Sequence, residues 1–224
     1  MNIAIILAGG VGTRLESSMP KQYIEVKGKP IICYCLDVFE QCDKIDSIQI
    51  VADQKWHDLI LHWRGSKFRG FSKPGRNRQL SIYHALRDIR HDVKAQDIVI
   101  IHDAARPLVT EKLLTTCITA CAQHEGAVPA LSMKDTIYFG ESNKIESLLS
   151  REEIYAGQAP EAFIFDKYME ANERLLPDQI ESISGSAEPA VLAGMDVALV
   201  TGDERNFKIT TREDLERFCM MMEE

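Results

Sequence analysis

The feature that most constrains this chain is an alternation. Five short, apolar, β-branched runs, Asn2–Leu7, Ser47–Ala52, Asp97–His102, Gly126–Ala130 and Val197–Val200, read as strands. Helical spacing of apolar residues fills Ile31–Gln41, Trp56–Trp63, Gln79–Ile89, Thr110–His124, Phe165–Asn172 and Thr211–Met222. Thr211, with Asp214 three residues on, supplies an N-cap for the last helix. Strands that are apolar throughout need cover on both sides, and strand–helix–strand succession returns each strand parallel to the last. The expected fold is α/β: a mostly parallel twisted sheet with helices on both faces, one domain over residues 1–224. Residues 136–151 break the pattern. There the turn Gly140-Glu141-Ser142-Asn143 separates Thr136–Phe139 from Lys144–Ser147, which predicts a hairpin projecting from the sheet as a β-arm.

In such sheets ligands bind beyond the carboxyl ends of the strands. Gly9, Gly10 and Gly12 follow the first strand, Asp103 follows Asp97–His102, and Lys208 lies just beyond Val197–Val200. The first loop runs Leu7-Ala8-Gly9-Gly10-Val11-Gly12-Thr13-Arg14, then Pro20-Lys21-Gln22. It is neither GxGxxG nor the P-loop GxxxxGK[ST]. Its physics is still that of a phosphate cradle: glycines turn backbone N–H groups toward an anion, and Arg14 and Lys21 add two cations at the same strand end. A carboxylate at a strand end, Asp103, suits Mg²⁺, which takes one or two carboxylates plus substrate phosphates.

The formal net charge is −8, with 26 Lys and Arg against 34 Asp and Glu. That argues against a nucleic-acid binder but permits an anionic small ligand at a local cluster of cations. The apolar N-terminal run is too short for a membrane span and lacks a basic leader, so no membrane association is expected. The six cysteines form no CxxC pair and read as core packing in a reducing cytoplasm. His57, His62, His84, His91 and His124 show no metal-ligand spacing, and Trp56 and Trp63, seven apart, read as sharing a packing face.

LAGGxGTR followed by PKQ resembles the signature of the sugar-phosphate nucleotidyltransferases. Gly75-Arg76-Asn77-Arg78-Gln79-Leu80-Ser81 is similar to a GxxRxxS base-and-ribose loop, and His102-Asp103-Ala104-Ala105-Arg106-Pro107 to the HDAARP motif. Asp135-Thr136, Arg151 and Asn206-Phe207-Lys208-Ile209-Thr210 match further blocks in order. Together, from Ile3 to about Leu215, they resemble the polyol-phosphate cytidylyltransferases, which act on 2-C-methyl-D-erythritol 4-phosphate or on ribitol 5-phosphate.

The resemblance implies a Rossmann-like nucleotidyltransferase fold and transfer of CMP from CTP to a polyol phosphate, releasing pyrophosphate. It implies Asp103 as the Mg²⁺ ligand and Arg14, Lys21, Arg151 and Lys208 as the catalytic cations. Leu7, Ala8, Gly9, Gly10, Gly12, Gly75, Arg78, Ser81 and Ala104 are implied around the nucleotide. Arg106, Thr136, Arg151 and Lys208 are implied around the polyol phosphate, with the arm exchanged in a homodimer. Tyr155-Ala156-Gly157-Gln158-Ala159-Pro160 reads closer to the ribitol enzymes, whereas the HDAARP run leans to the methylerythritol enzymes of isoprenoid biosynthesis. Ser184–Pro189 has Gly185 where both groups carry an acidic residue. On balance the sequence leans to ribitol 5-phosphate; the methylerythritol enzyme, another nucleotidyltransferase and a non-catalytic nucleotide-binding relative are the alternatives.

Overall fold

The computed structural model describes residues 1–10 and 19–223. β1 (Asn2–Leu7) is followed by the short pair β2 (Glu25–Val26) and β3 (Lys29–Pro30), then α1 (Ile31–Gln41), β4 (Ser47–Val51), α2 (His57–Trp63) and β5 (Phe68–Ser72). α3 (Arg78–Ile89), β6 (Ile98–Asp103), α4 (Glu111–Ala120) and β7 (Gly126–Ser132) complete the first part. The arm is β8 (Ile137–Glu141) and β9 (Lys144–Leu149). β10 (Tyr155–Gly157), β11 (Glu161–Ile164), α5 (Phe165–Glu173), α6 (Glu188–Leu192), β12 (Val197–Thr201) and α7 (Arg212–Met221) close the chain.

β5, β4, β1 and β6 run parallel and side by side, and β12 pairs parallel with β7. The expected mostly parallel sheet is therefore present, but with a reversed strand inside it. β11 lies antiparallel between β6 and β7, and β10 continues along the same side of β7. Alternation along β1 shows why both faces need helices. Ala4 and Ile6 pack with Ile32, Phe39 and Cys117 on one face, while Ile3 and Ile5 pack with Ile82, Leu86 and Tyr168 on the other.

The differences from expectation have local causes. Asp97 stays outside its strand, its carboxylate taking the Met1 amino group at 2.6 Å and the Lys94 N–H at 2.8 Å, and at the other end pairing with Leu7 makes Asp103 the last strand residue. β5 carries Arg69 and a Gly70 at φ +154° beside a register shift, which masks its strand character. α4 starts on its Thr110 cap but stops at Ala120, short of His124. Trp56 stacks on Tyr23 at 4.3 Å whereas Trp63 is exposed, so the two tryptophans share no face. Five cysteines are buried and Cys219 is half-buried, all as free thiols. Thr211 and Asp214 form the full capping box of α7. No helix among the described residues is long and apolar enough to cross a membrane.

Candidate active site

A cleft of about 420 Å³ opens beyond the carboxyl ends of β1 and β6, where the fold places ligands. Leu7, Gly9, Gly10, Lys21, Gly75, Arg78, Asp103 and Lys208 line it, joined by Gln22, Arg76, Asn77, Ala105 and Thr210. Gly12 and Arg14 lie outside the described residues.

The glycine turn is clamped from below. The amide of buried Gln22 donates to the carbonyls of Ala8 at 2.6 Å and Gly10 at 2.7 Å, and the Tyr23 hydroxyl donates to Ala8 at 2.9 Å. Pro20-Lys21-Gln22 thus does two jobs: Gln22 fixes the turn and Lys21 faces the cleft. A Cβ on Gly9 would lie 2.7 Å from Pro74, so only glycine lets this turn approach the opposite loop.

That opposite loop is held by Ser81. Its hydroxyl accepts from the Gly75 N–H at 2.9 Å and donates to the Asn77 carbonyl at 2.8 Å. Asn77 caps α3 through Leu80 N–H at 2.8 Å and ties the loop to the carbonyls of Ile180 and Glu181. Arg76 pairs with Glu181. Ser81, Ala8 and Ala104, expected around the nucleotide, do not line the cleft. Ser81 orders the loop, and Ala8 and Ala104 are buried backbone links, Ala104 N–H donating to Leu7 at 3.1 Å.

Asp103 is the electrostatic centre. Its carboxylate meets Arg78 Nε at 3.1 Å, Lys208 Nζ at 3.0 Å and Arg106 Nε at 3.7 Å. Burial works against its charge, but Arg78, Lys208 and Arg106 outweigh that and hold the carboxyl far below the usual range. Arg106 is turned inward: its Nη1 donates to the Asn206 carbonyl at 2.7 Å, and Asn206 in turn donates to Ala159 at 2.6 Å. In this chain it braces Asp103 and the 206–209 loop instead of facing the cleft. Ile209 N–H donates to Ala105 at 2.8 Å, which fixes Lys208 at the rim. His102 is fully buried, and burial pushes it down to about 4, so it is a neutral packing residue.

Thr136 and Arg151 do not reach the cleft of their own chain. β8 and β9 pair only with each other, and Arg151 sits in a separate depression with Lys134 and Glu152, donating to the Lys134 carbonyl at 3.1 Å. In Ser184–Pro189, Glu188 accepts from the N–H of Ser184 at 2.7 Å, so an acid within the block closes the start of α6. Glu161, to which the sequence assigns no role, is buried beside this cluster. Burial pushes its carboxyl up, with Arg78 and Ser186 pulling the other way. A lone acid in the apolar run Glu161-Ala162-Phe163-Ile164 was its only signal.

Residues 2–224 match the family model described as 2-C-methyl-D-erythritol 4-phosphate cytidylyltransferase. A 2-C-methyl-D-erythritol 4-phosphate cytidylyltransferase of Clostridium beijerinckii is 36% identical over 95% of this chain and 94% of that protein. A ribitol-5-phosphate cytidylyltransferase of Streptococcus agalactiae serotype III is 30% identical over 97% of this chain and 94% of its own. The crystal structure of 4-diphosphocytidyl-2C-methyl-D-erythritol synthase from Anaerococcus prevotii superposes with a TM-score of 0.85 at 25% identity, covering 100% of this chain and 96% of that one.

Proposed function

The chain belongs to the 2-C-methyl-D-erythritol 4-phosphate cytidylyltransferase family, and from that premise we propose that it transfers CMP from CTP to 2-C-methyl-D-erythritol 4-phosphate. The single observation that carries the reaction is the convergence of Arg78, Arg106 and Lys208 on Asp103 at the floor of a glycine-lined cleft. The acceptor follows the relatives: methylerythritol enzymes at 31–36% identity stand above ribitol enzymes at 30%. This reverses the lean to ribitol 5-phosphate drawn from Tyr155–Pro160, which stays as the second reading because those relatives cover 97% of the chain.

In the reaction a phosphate oxygen of the acceptor attacks the α-phosphorus of CTP. The new P–O bond forms as the bond to the β-phosphate breaks, and pyrophosphate leaves with that electron pair. Little covalent work falls to the protein; alignment and charge neutralisation carry the rate. Backbone N–H groups of Gly9 and Gly10 receive the phosphates, and Lys21 with Arg14 neutralises the leaving group. The 75–78 loop takes the cytidine, and Lys208 steadies the attacking phosphate.

Magnesium would be held by Asp103, a carboxylate that lines the cleft and whose oxygens here pair with Arg78, Arg106 and Lys208, so a bound ion would take the place of Lys208 at the rim. Among the described residues no group of three His, Cys, Asp or Glu could hold a metal, so phosphate oxygens would complete its set. Bound there, the ion would offset the charge of the triphosphate. We also place the working site in a homodimer. The arm exposes Tyr138, Phe139, Ile145 and Leu148, an apolar surface that a second copy would cover, bringing the partner's Thr136 and Arg151 to the cleft.

Pyrophosphate release from CTP with each acceptor tests this. A kcat/KM at least about ten-fold higher with methylerythritol phosphate, one methyl-and-hydroxyl pattern of discrimination, is expected. Higher turnover with ribitol 5-phosphate would install the second reading, and release with neither would refute both.

A further inference from the structure

The run Tyr155-Ala156-Gly157-Gln158-Ala159-Pro160 does not line the cleft, yet its Gln158 is bonded into the loop that carries Lys208. Gln158 follows β10 and is buried. Its amide makes a two-point pairing with the backbone of Asp203. Oε1 accepts from the Asp203 N–H at 3.0 Å, and Nε2 donates to the Asp203 carbonyl at 2.9 Å. The same Nε2 lies 3.5 Å from the Asn206 carbonyl. A carboxamide offers a donor and an acceptor side by side, so it can pair with backbone as another peptide unit would.

The surroundings fit that pairing. Ala130 of β7 pairs with Gly157 on one side and with Thr201 on the other, so Gln158 and Gly202 continue strands on opposite sides of β7. The N–H of Gln158 donates to the Pro129 carbonyl at 2.7 Å and that of Gly202 to Ala130 at 2.9 Å. The Gln158 side chain spans the end of β7 between them. A Cβ on Gly202 would lie 2.6 Å from Gln158 Oε1, so the glycine leaves room for the amide. Asn206 ties the far end of the same turn, its Nδ2 donating to the Ala159 carbonyl at 2.6 Å and its N–H to the Asp203 carbonyl at 3.0 Å. Residues 203–206 are thus fastened at both ends to 158–159. Lys208 comes two residues later and reaches Asp103 at 3.0 Å.

We infer that Gln158 is a positioning residue: it fixes the 203–206 turn and, through it, the place of Lys208 at the cleft rim. Lysine is a point charge on a flexible stem, so it delivers that charge only as accurately as its backbone is held. A displacement of about 1 Å in a group that aligns a reactant costs up to about a hundred-fold in rate. The inference rests on the reading above that Lys208 steadies the attacking phosphate.

The test uses the full-length protein and its variants, well below their unfolding temperatures. Kinetics are measured with the acceptor that the wild type turns over, 2-C-methyl-D-erythritol 4-phosphate or ribitol 5-phosphate, and CTP binding by calorimetry. Gln158→Met keeps the length of the side chain and removes both bonds to Asp203. It should lower kcat/KM for the acceptor about ten-fold, while the CTP dissociation constant stays within about two-fold, because Gly9, Gly10 and the 75–78 loop are held by other residues. In a Lys208→Gln background the same change should add less than about two-fold, since the group it positions is gone. Gly202→Ala, whose methyl would push the amide aside, should give the same split between acceptor and CTP, and serves as the reading should Gln158→Met fail to fold. With an active wild type, an unchanged kcat/KM for the acceptor, an equal loss of CTP affinity, or full additivity with Lys208→Gln overturns the inference and leaves the proposed reaction standing. A wild type that turns over neither acceptor refutes the proposed reaction and the inference with it.

Discussion

Replacing Asp103 by Asn leaves the volume of the side chain and removes the charge on which Arg78, Lys208 and Arg106 converge at 3.1, 3.0 and 3.7 Å. Because Asp103 is buried, removing one partner leaves unmatched cations and costs about 3–5 kcal/mol. Lys208, at the rim, and Arg78, lining the cleft, can turn to water, so the lower end is expected, about 3 kcal/mol. For a chain of this length each kcal/mol moves Tm by about 2–4 °C, a fall of roughly 6–12 °C for that loss. The pH dependence has a definite sign. The folded carboxyl lies far below its unfolded value of about 3.9. The wild-type advantage is therefore complete above about pH 5 and declines only as pH falls through and below about 4, where the unfolded chain takes up the proton first. Urea unfolding of both proteins at pH 5, 6 and 8 should give the same difference at each. A difference under about 1 kcal/mol, or one that changes steadily between pH 5 and 8, would refute the view of Asp103 as the anchor of these cations.

Ser81→Ala removes the bridge between Gly75 N–H and the Asn77 carbonyl; it should cost about 1–3 kcal/mol and raise the CTP dissociation constant several-fold, with kcat/KM for the acceptor followed as the control. Chelation should abolish turnover, restored by added Mg²⁺, because the cations around Asp103, already shared with its carboxylate, do not by themselves offset the triphosphate; undiminished rates in excess chelator would show that no metal is needed. Leu148→Asp, on the exposed face of the arm, should shift sedimentation from dimer to monomer and take acceptor turnover with it; a fully active monomer would show that the partner's arm is dispensable.

Much of this arrangement can be read from residues, and the failures have reasons. β1 and α1 have strong local patterns, a β-branched run cut by glycine and an amphipathic stretch after proline, and both fall at their expected bounds. The motif residues Gly9, Gly75, Arg78, Asp103 and Lys208 line one cleft because parallel strands end at one edge. β11 escaped because its four residues begin with an acid, and its burial comes from pairing between β6 and β7, strands distant in sequence. The work of Gln22 and Ser81 is hydrogen bonding to backbone across a turn, which a motif locates without saying which way the side chain faces. Thr136 and Arg151 show the limit of spacing: it marks an arm, β8 and β9, but neither residue lines the cleft of this chain.

The most direct measurement follows the α-phosphorus. CTP labelled at that atom is incubated with the protein, Mg²⁺ and 2-C-methyl-D-erythritol 4-phosphate, and the products are separated. Label is expected in a cytidine diphosphate ester of the acceptor, with unlabelled pyrophosphate in equal amount. Label recovered only as CMP, or left in CTP, would contradict it.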